Sequence, residues 1–309
     1  MSKAHKDSAG VAAVKLLVTG AEGQLARCII EAGATCGVEV VALGRPKLDI
    51  TVPARILAAL NTVRPDVIVN AAAYTAVDKA ESEPHIAHAV NAVGAGNVAC
   101  AADQAEVPII HISTDYVFDG RKESAYSEID DVGPASAYGR SKLEGERLVA
   151  EAAPRHVILR TAWVHSPFGH NFIKTMLKLA AQRPQIDVVD DQLGSPTYAP
   201  HLAVAIIDVA RQVNNGAGDS GQTWGTYHAC GRGETTWCGL AREVFEISAQ
   251  AGGPAAQVNP IATSDYPTPA SRPANSRLSC DKLKAVFGVA LPDWRSGVEE
   301  CVARLLKEP

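Results

Sequence analysis

The chain has 309 residues, of which 47% are hydrophobic and 20% charged, and its formal net charge is −5 at pH 7. This composition is typical of a globular protein with one large or two modest domains; it gives no basic surface for nucleic acid, and no apolar run approaches the roughly 20 residues of a membrane span. The seven cysteines form no Cys-x-x-Cys pair and the nine histidines no His-x-x-x-His pattern, so we expect reduced thiols, a cytoplasmic location and no metal site.

The first structural signal is a glycine-rich turn near the N-terminus. The stretch before it, 1–14, has no long apolar core, and we expect it to be a flexible tail. A short apolar run, 15–19, is typical of a strand buried in a parallel sheet. It enters a Gly-x-x-Gly-x-x-Ala turn whose glycines are Gly20 and Gly23. Gly20 allows a tight turn and Gly23 lets a phosphate approach the backbone, while the following helix offers free N–H groups. The turn therefore predicts a dinucleotide site.

The end of the second predicted strand, 38–43, indicates which dinucleotide is bound. NAD-specific sites place an Asp or Glu near this point to bind the ribose 2′-hydroxyl. Here the chain continues with Gly44 and Arg45, so no carboxylate repels a 2′-phosphate and a cation is near. We predict NADPH as the cofactor, with NADH weaker, unless Arg45 is merely a solvated loop charge. Asp49 and Ile50 follow and could border the adenine.

The third predicted strand, 66–70, comes after a helix predicted over 53–61. It runs into three small residues, Ala71, Ala72 and Ala73. Small side chains where a strand leaves the sheet let a cofactor lie against the backbone, although alanines could equally serve close packing.

The fourth predicted strand, 107–112, ends close to two polar residues, Thr114 and Asp115. Doubly wound sheets bind ligands at the C-terminal ends of their strands, and a threonine hydroxyl there can hydrogen-bond a carbonyl oxygen. The helix before this strand, predicted over 86–105, contains Asn91, which could order an active site or be a structural amide.

A candidate proton-transfer pair lies in the next helix, for which Ser136 is the expected N-cap. Tyr138 and Lys142 are one turn apart on the same helix face. A lysine ammonium beside a phenol favours the phenolate and lowers the pKa of the phenol toward neutrality. Alone, the pair could be an exposed tyrosine and a solvated lysine. With Thr114 it forms a hydroxyl–phenol–ammonium set that suits proton transfer during hydride transfer.

The regular alternation of strands and helices weakens after a strand predicted over 156–164, which carries Trp163. The elements predicted beyond it are helices at 168–181, 198–213, 235–248 and 294–306 and strands at 186–189 and 226–229. A glycine- and asparagine-rich stretch, 214–225, predicts a mobile surface loop. These elements and the parallel sheet before them predict an α/β fold: a Rossmann-type doubly wound parallel sheet with a smaller C-terminal α/β substrate-binding domain.

A proline-rich stretch, 263–273, carries Arg272, and Arg277 follows closely. Two explanations fit it equally well. It is either an ordered loop whose arginines hold the phosphates of a substrate, or a proline-rich linker.

Three motifs together resemble the extended short-chain dehydrogenase/reductase superfamily: Gly-x-x-Gly-x-x-Ala, Ser-Thr-Asp-Tyr-Val-Phe and Tyr-x-x-x-Lys. Two longer and more specific stretches, 64–84 and 267–277, resemble the dTDP-4-dehydrorhamnose reductase family. The resemblance extends from about Lys15 to the C-terminal helix. It implies hydride transfer from NADPH to the 4-keto group of dTDP-4-dehydro-L-rhamnose, a dTDP-sugar, in dTDP-rhamnose biosynthesis.

The resemblance also implies roles for the matching residues. Tyr138 would donate the proton, Lys142 would assist it and bind the nicotinamide ribose, and Thr114 would hold the 4-keto oxygen. Asp115 would lie beside this oxygen. The other implied contacts are Gly23, Gln24 and Leu25 with the pyrophosphate, Asp49, Ile50, Ala71, Ala72 and Ala73 with the rest of the cofactor, and Trp163 with the sugar.

The domain division expected from the resemblance places the NAD(P)-binding Rossmann domain at 15–164. Residues 165–309 would mainly form the sugar-nucleotide-binding domain. A segment at about 198–213 would return to the Rossmann domain.

Two features depart from the family pattern. Many relatives carry an acidic residue where Gly44 stands, so their use of NADH is not carried over. Some relatives are described as magnesium-linked dimers through acidic side chains, which Cys28 and the plain first helix do not support. We therefore expect no metal, and either a monomer or a homodimer.

Three alternatives remain compatible with this fold. A nucleotide-sugar 4,6-dehydratase needs a second acid beside the Thr-Asp pair, where Tyr116 stands. A nucleotide-sugar epimerase keeps NAD bound, against which Gly44 argues. A regulatory subunit resembling that of methionine adenosyltransferase would bind NADP without turnover, and a copurifying protein partner would reveal it.

Overall fold

The computed structural model describes residues 14–216 and 223–307. The predicted tail at 1–14, apart from Val14, lies outside the described residues, and so does the middle of the predicted loop at 214–225. Within the described residues the strands are β1 (Lys15–Thr19), β2 (Glu39–Leu43), β3 (Val67–Asn70), β4 (Ile109–Thr114), β5 (His156–Thr161), β6 (Val164–His165), β7 (Gln185–Val189), β8 (Leu193–Gly194), β9 (Thr197–Tyr198), β10 (Gly225–His228), β11 (Thr235–Thr236), β12 (Gln257–Ile261) and β13 (Asn275–Ser276). The α-helices are α1 (Gln24–Cys36), α2 (Pro53–Val63), α3 (Val77–Ser82), α4 (Pro84–His88), α5 (Ala95–Gln104), α6 (Ala137–Ala152), α7 (Phe172–Ala180), α8 (Ala199–Asn214), α9 (Trp237–Gln250), α10 (Asp281–Phe287) and α11 (Trp294–Lys307).

Six of these strands form one parallel sheet in the order β10-β5-β4-β3-β1-β2. The strand order reverses at β1, because β2 lies on one side of it and β3 on the other. Doubly wound sheets open a ligand-binding crevice at such a switch point. The observed sheet confirms the predicted Rossmann-type doubly wound α/β fold.

Helices cover both faces of this sheet. On one face α1 and α8 pack against the strands, and Val18, Ile29 and Ile206 are fully buried there. On the other face α2 and α5 bury Ile68 and Val98. Because the strands are covered on both sides, their sequences are nearly continuous apolar runs.

The chain returns to the large sheet after β5. Helix α8 packs against α1, and β10 pairs with β5 at the edge of the sheet. The remaining C-terminal elements form small sheets, β7–β12 and β11-β8-β13, around α7, α9 and α11. Their own core contains Ile173, Val244 and Val298, each fully buried. The boundary expected at residue 164 stays a prediction.

One predicted helix differs in an informative way. The sequence predicts a continuous helix over 86–105, but the structure has α4, a π-helical segment at Ala89–Gly94 and then α5. The apolar spacing of α-helix and π-helix is too similar to be told apart from a single sequence. No helix in the described part of the chain is long and apolar enough to cross a membrane.

Candidate active site

A cavity of about 1010 Å³ lies at the C-terminal ends of β1, β3 and β4, beside the switch point of the sheet. The residues predicted from the sequence that line it are Gly20, Gly23, Gln24, Leu25, Gly44, Arg45, Asp49, Ile50, Ala71, Ala72, Ala73, Thr114, Asp115, Tyr138, Lys142 and Trp163. Arg272 and Arg277 are not among its lining residues.

The glycine-rich turn forms one wall of the cavity. Gly20 has a φ of 78°, and a Cβ atom there would lie 2.9 Å from Cα of Ala72. Only glycine combines this backbone conformation with so close an approach. Gly23 is the N-cap of α1, whose first turn contains no acidic residue. The free N–H groups and the dipole at the start of α1 face the cavity, which fits an anionic pyrophosphate, although Glu22 also lines the cavity beside the N-cap.

The loop after β2 forms the next part of the wall. A Cβ atom on Gly44 would lie 3.1 Å from the backbone nitrogen of Ala21, so a larger residue would require the glycine-rich turn to shift by a few tenths of an ångström. The Asp49 carboxylate accepts hydrogen bonds from the hydroxyl and the backbone N–H of Thr51, at 2.7 and 2.9 Å, which lower the pKa of Asp49. The positive charge of Arg45 also lowers the pKa of Asp49, so the two side chains lie close enough in this loop to interact.

Thr114 is the last residue of β4, and its hydroxyl donates to Oδ1 of Asp115 at 3.0 Å. Asp115 is buried. Burial raises the pKa of the Asp115 carboxyl to about 6, although hydrogen bonds with Ser276 and Thr114 oppose this rise. The two side chains place a hydroxyl and a carboxyl group side by side in the cavity wall.

Tyr138 lies in the first turn of α6, which begins at the predicted N-cap, Ser136. The Ser136 hydroxyl accepts a hydrogen bond from the backbone N–H of Gly139 at 3.1 Å. The Tyr138 ring is 9% exposed and packs edge-on against Tyr116, with ring centroids 5.5 Å apart. Burial raises the pKa of the Tyr138 hydroxyl well above its usual value, and a hydrogen bond with Thr114 opposes the rise only in part. The phenol is therefore protonated at neutral pH.

The expectation that Lys142 lowers the pKa of Tyr138 is wrong for this structure. Lys142 is buried, and its ammonium donates to the backbone oxygen of Ile112 at 2.6 Å. Burial lowers the pKa of Lys142 to about 8, while the carboxylate of Glu146 raises it. The shared helix face holds the two residues one turn apart, but spacing alone does not fix where a four-carbon side chain points.

Asn91 orders the segment between β3 and α6. Its amide oxygen accepts from the backbone N–H of Tyr74 at 2.8 Å, and its amide nitrogen donates to the Tyr74 oxygen and to the Ser141 hydroxyl, each at 3.0 Å. A Cβ atom on Gly145 would lie 2.1 Å from the backbone oxygen of Asn91, so α6 and the π-helical segment are in very close contact. Asn91 thus links α6, through Ser141, to the segment after β3 that contains Tyr74.

Trp163 reaches the cavity from the segment after β5. Its backbone has a φ of 48°, in the left-handed region, and its ring stacks on Trp237 with centroids 3.5 Å apart. Non-glycine residues in this conformation cluster at functional sites. A Cβ atom on Gly194 would lie only 2.2 Å from Cε2 of Trp163, so the indole lies directly on the backbone of β8.

The two predicted phosphate-binding arginines are paired with carboxylates of the protein. Arg272 contacts Asp78 at 2.7 Å, and Arg277 contacts Glu234 at 3.1 Å. Arg277 also donates to Oδ1 of Asn275 at 2.8 Å. Their phosphate-binding role stays a prediction. Their pairing with Asp78 and Glu234 was not predicted, because these partners are remote along the chain.

Further cavity residues are not predicted from the sequence, among them Ser113, Tyr116 and Thr161. Ser113 and Tyr116 flank the Thr-Asp pair, so the motif itself could have indicated them. Thr161 enters the site because it is the register partner of Thr114 on the neighbouring strand. Within 14–216 and 223–307, no group of three or more His, Cys, Asp or Glu residues is arranged to hold a metal ion.

Comparisons with known proteins agree with this geometry. A family model described as the RmlD substrate binding domain matches residues 14–307. A dTDP-4-dehydrorhamnose reductase of Sinorhizobium fredii is 48% identical over 96% of this chain and 99% of its own. The crystal structure of such a reductase from Clostridium acetobutylicum superposes with a TM-score of 0.87 at 37% identity, covering 95% and 100% of the two chains. One from Bacillus anthracis, in complex with NADP, also has a TM-score of 0.87, at 33% identity and coverages of 94% and 99%.

Proposed function

This chain belongs to the dTDP-4-dehydrorhamnose reductase family, and we propose that it reduces the 4-keto group of dTDP-4-dehydro-L-rhamnose with a proton from Tyr138. It is an NADPH-dependent oxidoreductase of dTDP-rhamnose biosynthesis. The observation that carries the proposal is a single cavity that is lined both by a dinucleotide-binding glycine turn and by the set Thr114, Tyr138 and Lys142.

The cofactor wall fits NADPH, which when bound supplies the hydride. The N-terminus of α1, with Gly23, Gln24 and Leu25, would hold the pyrophosphate. Arg45, beside a residue that carries no carboxylate, would face the 2′-phosphate. Because Gly20 has no side chain, the glycine-rich turn packs directly against the backbone of Ala72.

The proton side of the reaction belongs to Tyr138 and Thr114. Burial keeps the Tyr138 phenol protonated at neutral pH, so it can deliver a proton to the C4 oxygen as that oxygen gains charge. The Thr114 hydroxyl would donate a hydrogen bond to the same oxygen and stabilise the developing alkoxide. After transfer, the Thr114 hydroxyl would stabilise the phenolate, while the Lys142 cation would donate to the nicotinamide ribose.

The sugar side would be formed by Trp163 and Asp115, which line the same cavity. Trp163 is half-buried, held by Trp237 and by the backbone of β8, and the exposed part of its indole would give the sugar an apolar contact. Asp115 is near enough to Thr114 to contact a sugar hydroxyl next to the reacting carbon. Arg272 and Arg277 remain candidates for the phosphates.

The experiment that tests the function follows NADPH absorbance after addition of dTDP-4-dehydro-L-rhamnose, formed in place by the upstream dehydratase and epimerase. We expect rapid NADPH oxidation with dTDP-L-rhamnose as product, and slower oxidation of NADH in a parallel reaction. NADPH binding without oxidation would contradict the proposal and would favour the regulatory-subunit alternative. The choice between monomer and homodimer, and the cytoplasmic location, stay predictions.

A further inference from the structure

Three buried polar side chains lie in a row across the large sheet, behind the cavity. The register pairs Thr19 of β1 with Asn70 of β3, and Asn70 with His111 of β4, so the three side chains share one face of the sheet. Each is 1% exposed or less. At the end of the row, Nε2 of His111 lies 3.5 Å from Nζ of Lys142.

The hydrogen bonds of this row have one direction. The backbone N–H of Ala72, in the cofactor wall, donates to Oγ1 of Thr19 at 3.1 Å. The Thr19 hydroxyl donates its own proton to Oδ1 of Asn70 at 2.6 Å. The Asn70 amide is thereby oriented with its nitrogen toward His111, 3.0 Å from Nδ1.

This direction assigns the tautomer of His111. An amide nitrogen only donates, so Nδ1 of His111 must accept. Burial, together with the nearby charge of Lys142, lowers the pKa of His111 well below its usual value, so the ring is neutral. A neutral imidazole that accepts at Nδ1 carries its proton on Nε2. The Nε2–H group therefore points at Lys142.

The consequence concerns the charge of Lys142. An ammonium group has only donors, so it cannot accept a hydrogen bond from Nε2–H of His111. The positive charge of Lys142 instead faces the positive end of the His111 N–H dipole. Lys142 gives one N–H to Ile112 instead. The other titratable or charged groups on the elements packed around Lys142 include Tyr138 and Glu146 on α6 itself, Asp115 and Tyr116 after β4, His156 and Arg160 on β5, Asp78, Lys79 and Glu81 on α3, and His85 and His88 on α4. Of these, Glu146 favours the ammonium, and Arg160 is engaged with Glu146.

We propose that His111 is a positioning residue that acts through Lys142. Its Nε2–H group, oriented by Asn70 and Thr19, disfavours the ammonium form of Lys142, so that Lys142 can gain or lose its proton near neutral pH. The inference rests on the proposed function, in which Lys142 works as a cation beside Tyr138. Because the row begins at Ala72, it connects the cofactor wall to the proton state of Lys142.

The test reverses the donor–acceptor direction of the hydrogen bonds by a substitution at Thr19, the residue of the row most distant from Lys142. Thr19→Val removes the hydroxyl, so the Asn70 amide can rotate and present its oxygen to His111. The imidazole proton then moves to Nδ1, and Nε2 becomes an acceptor for Lys142. Thr19→Ser is the matched control, because it keeps the hydroxyl. His111→Asn is a second variant, which keeps an acceptor for Asn70 but has no N–H group at the Nε2 position.

The measured quantity is the pKa of Lys142, obtained from its acetylation by acetic anhydride across pH and read by mass spectrometry. This readout needs no turnover. Both Thr19→Val and His111→Asn should raise the pKa from about 8 by about one unit, and the serine control should keep the original value. The fall of kcat at high pH should move upward by the same amount, because the cationic form then persists to higher pH.

Two results would overturn the inference. One is an unchanged Lys142 pKa in a Thr19→Val protein that unfolds at the same temperature as the original. The other is a loss of activity in His111→Asn without any shift of the pKa, which would make His111 a packing residue. If Thr19→Val does not fold, His111→Asn decides alone. Absence of turnover in the unsubstituted protein, with the labelling shift intact, would contradict the proposed function but not the arrangement of the row.

Discussion

A methyl group added at Gly194 should separate sugar binding from cofactor binding. The new Cβ would lie 2.2 Å from Cε2 of Trp163, so the indole must retreat by about 1.2 Å to reach the 3.4 Å of ordinary contact. The Trp163 ring stacks on Trp237 at 3.5 Å, and loss of such stacking costs roughly 0.5–1.5 kcal/mol. If this indole carries the sugar, a penalty of about 1.4 kcal/mol corresponds to a tenfold loss of affinity.

The assay for Gly194→Ala is steady-state reduction at saturating NADPH, combined with a direct NADPH binding measurement. We expect the KM for the dTDP-sugar to rise about tenfold while the Kd for NADPH stays unchanged. Gly133→Ala is the matched control, since its Cβ would meet Asp119 at an ordinary 3.4 Å. A KM within about twofold of the original, in a Gly194→Ala protein of unchanged melting temperature, would refute the placement of the sugar on Trp163.

Three further changes test other parts of the account. Arg160→Met removes the arginine paired with the buried Glu146 carboxylate, so the free energy of unfolding in urea should fall by about 3–5 kcal/mol. The control Lys79→Ala, at an exposed ion pair, should change that free energy little. Equal losses in the two variants would contradict a structural role for the buried pair. Gly44→Asp should lower the ratio of kcat/KM for NADPH over NADH at least about tenfold, and an unchanged ratio would show that this loop does not face the 2′-phosphate. Finally, kcat should fall as pH rises through about 8, where Lys142 loses its charge; a flat profile across that range would exclude a role for the cation.

Local sequence signals predicted the large sheet well. The run into Gly20 and the apolar strands at β3 and β4 are buried on both faces, and such strands give continuous apolar patterns. The Ser136 cap is confirmed by its hydrogen bond to Gly139. In contrast, β8 and β13 have two residues each, too few for any period to be visible in the sequence.

Many residues that line the cavity were named from the sequence, but the contacts among them were not. The Tyr-x-x-x-Lys motif indicates Tyr138 and Lys142. The Lys142 ammonium, however, donates to the backbone oxygen of Ile112 on β4, a contact that the motif does not contain. The pairing of Arg272 with Asp78 joins residues 194 positions apart, so no local pattern contains it. Side-chain direction and long-range charge pairing arise from tertiary packing, and a single sequence does not report them.

The most direct test of the central claim is Tyr138→Phe, measured by NADPH oxidation with the dTDP-sugar and by NADPH binding. The substitution removes one buried hydroxyl and keeps the ring that packs against Tyr116. Tyr266→Phe, at a 61% exposed tyrosine, is the control. We expect kcat to fall by about 100-fold or more in Tyr138→Phe alone, with NADPH binding intact. Near-normal turnover by that variant would contradict the assignment of Tyr138 as the proton donor.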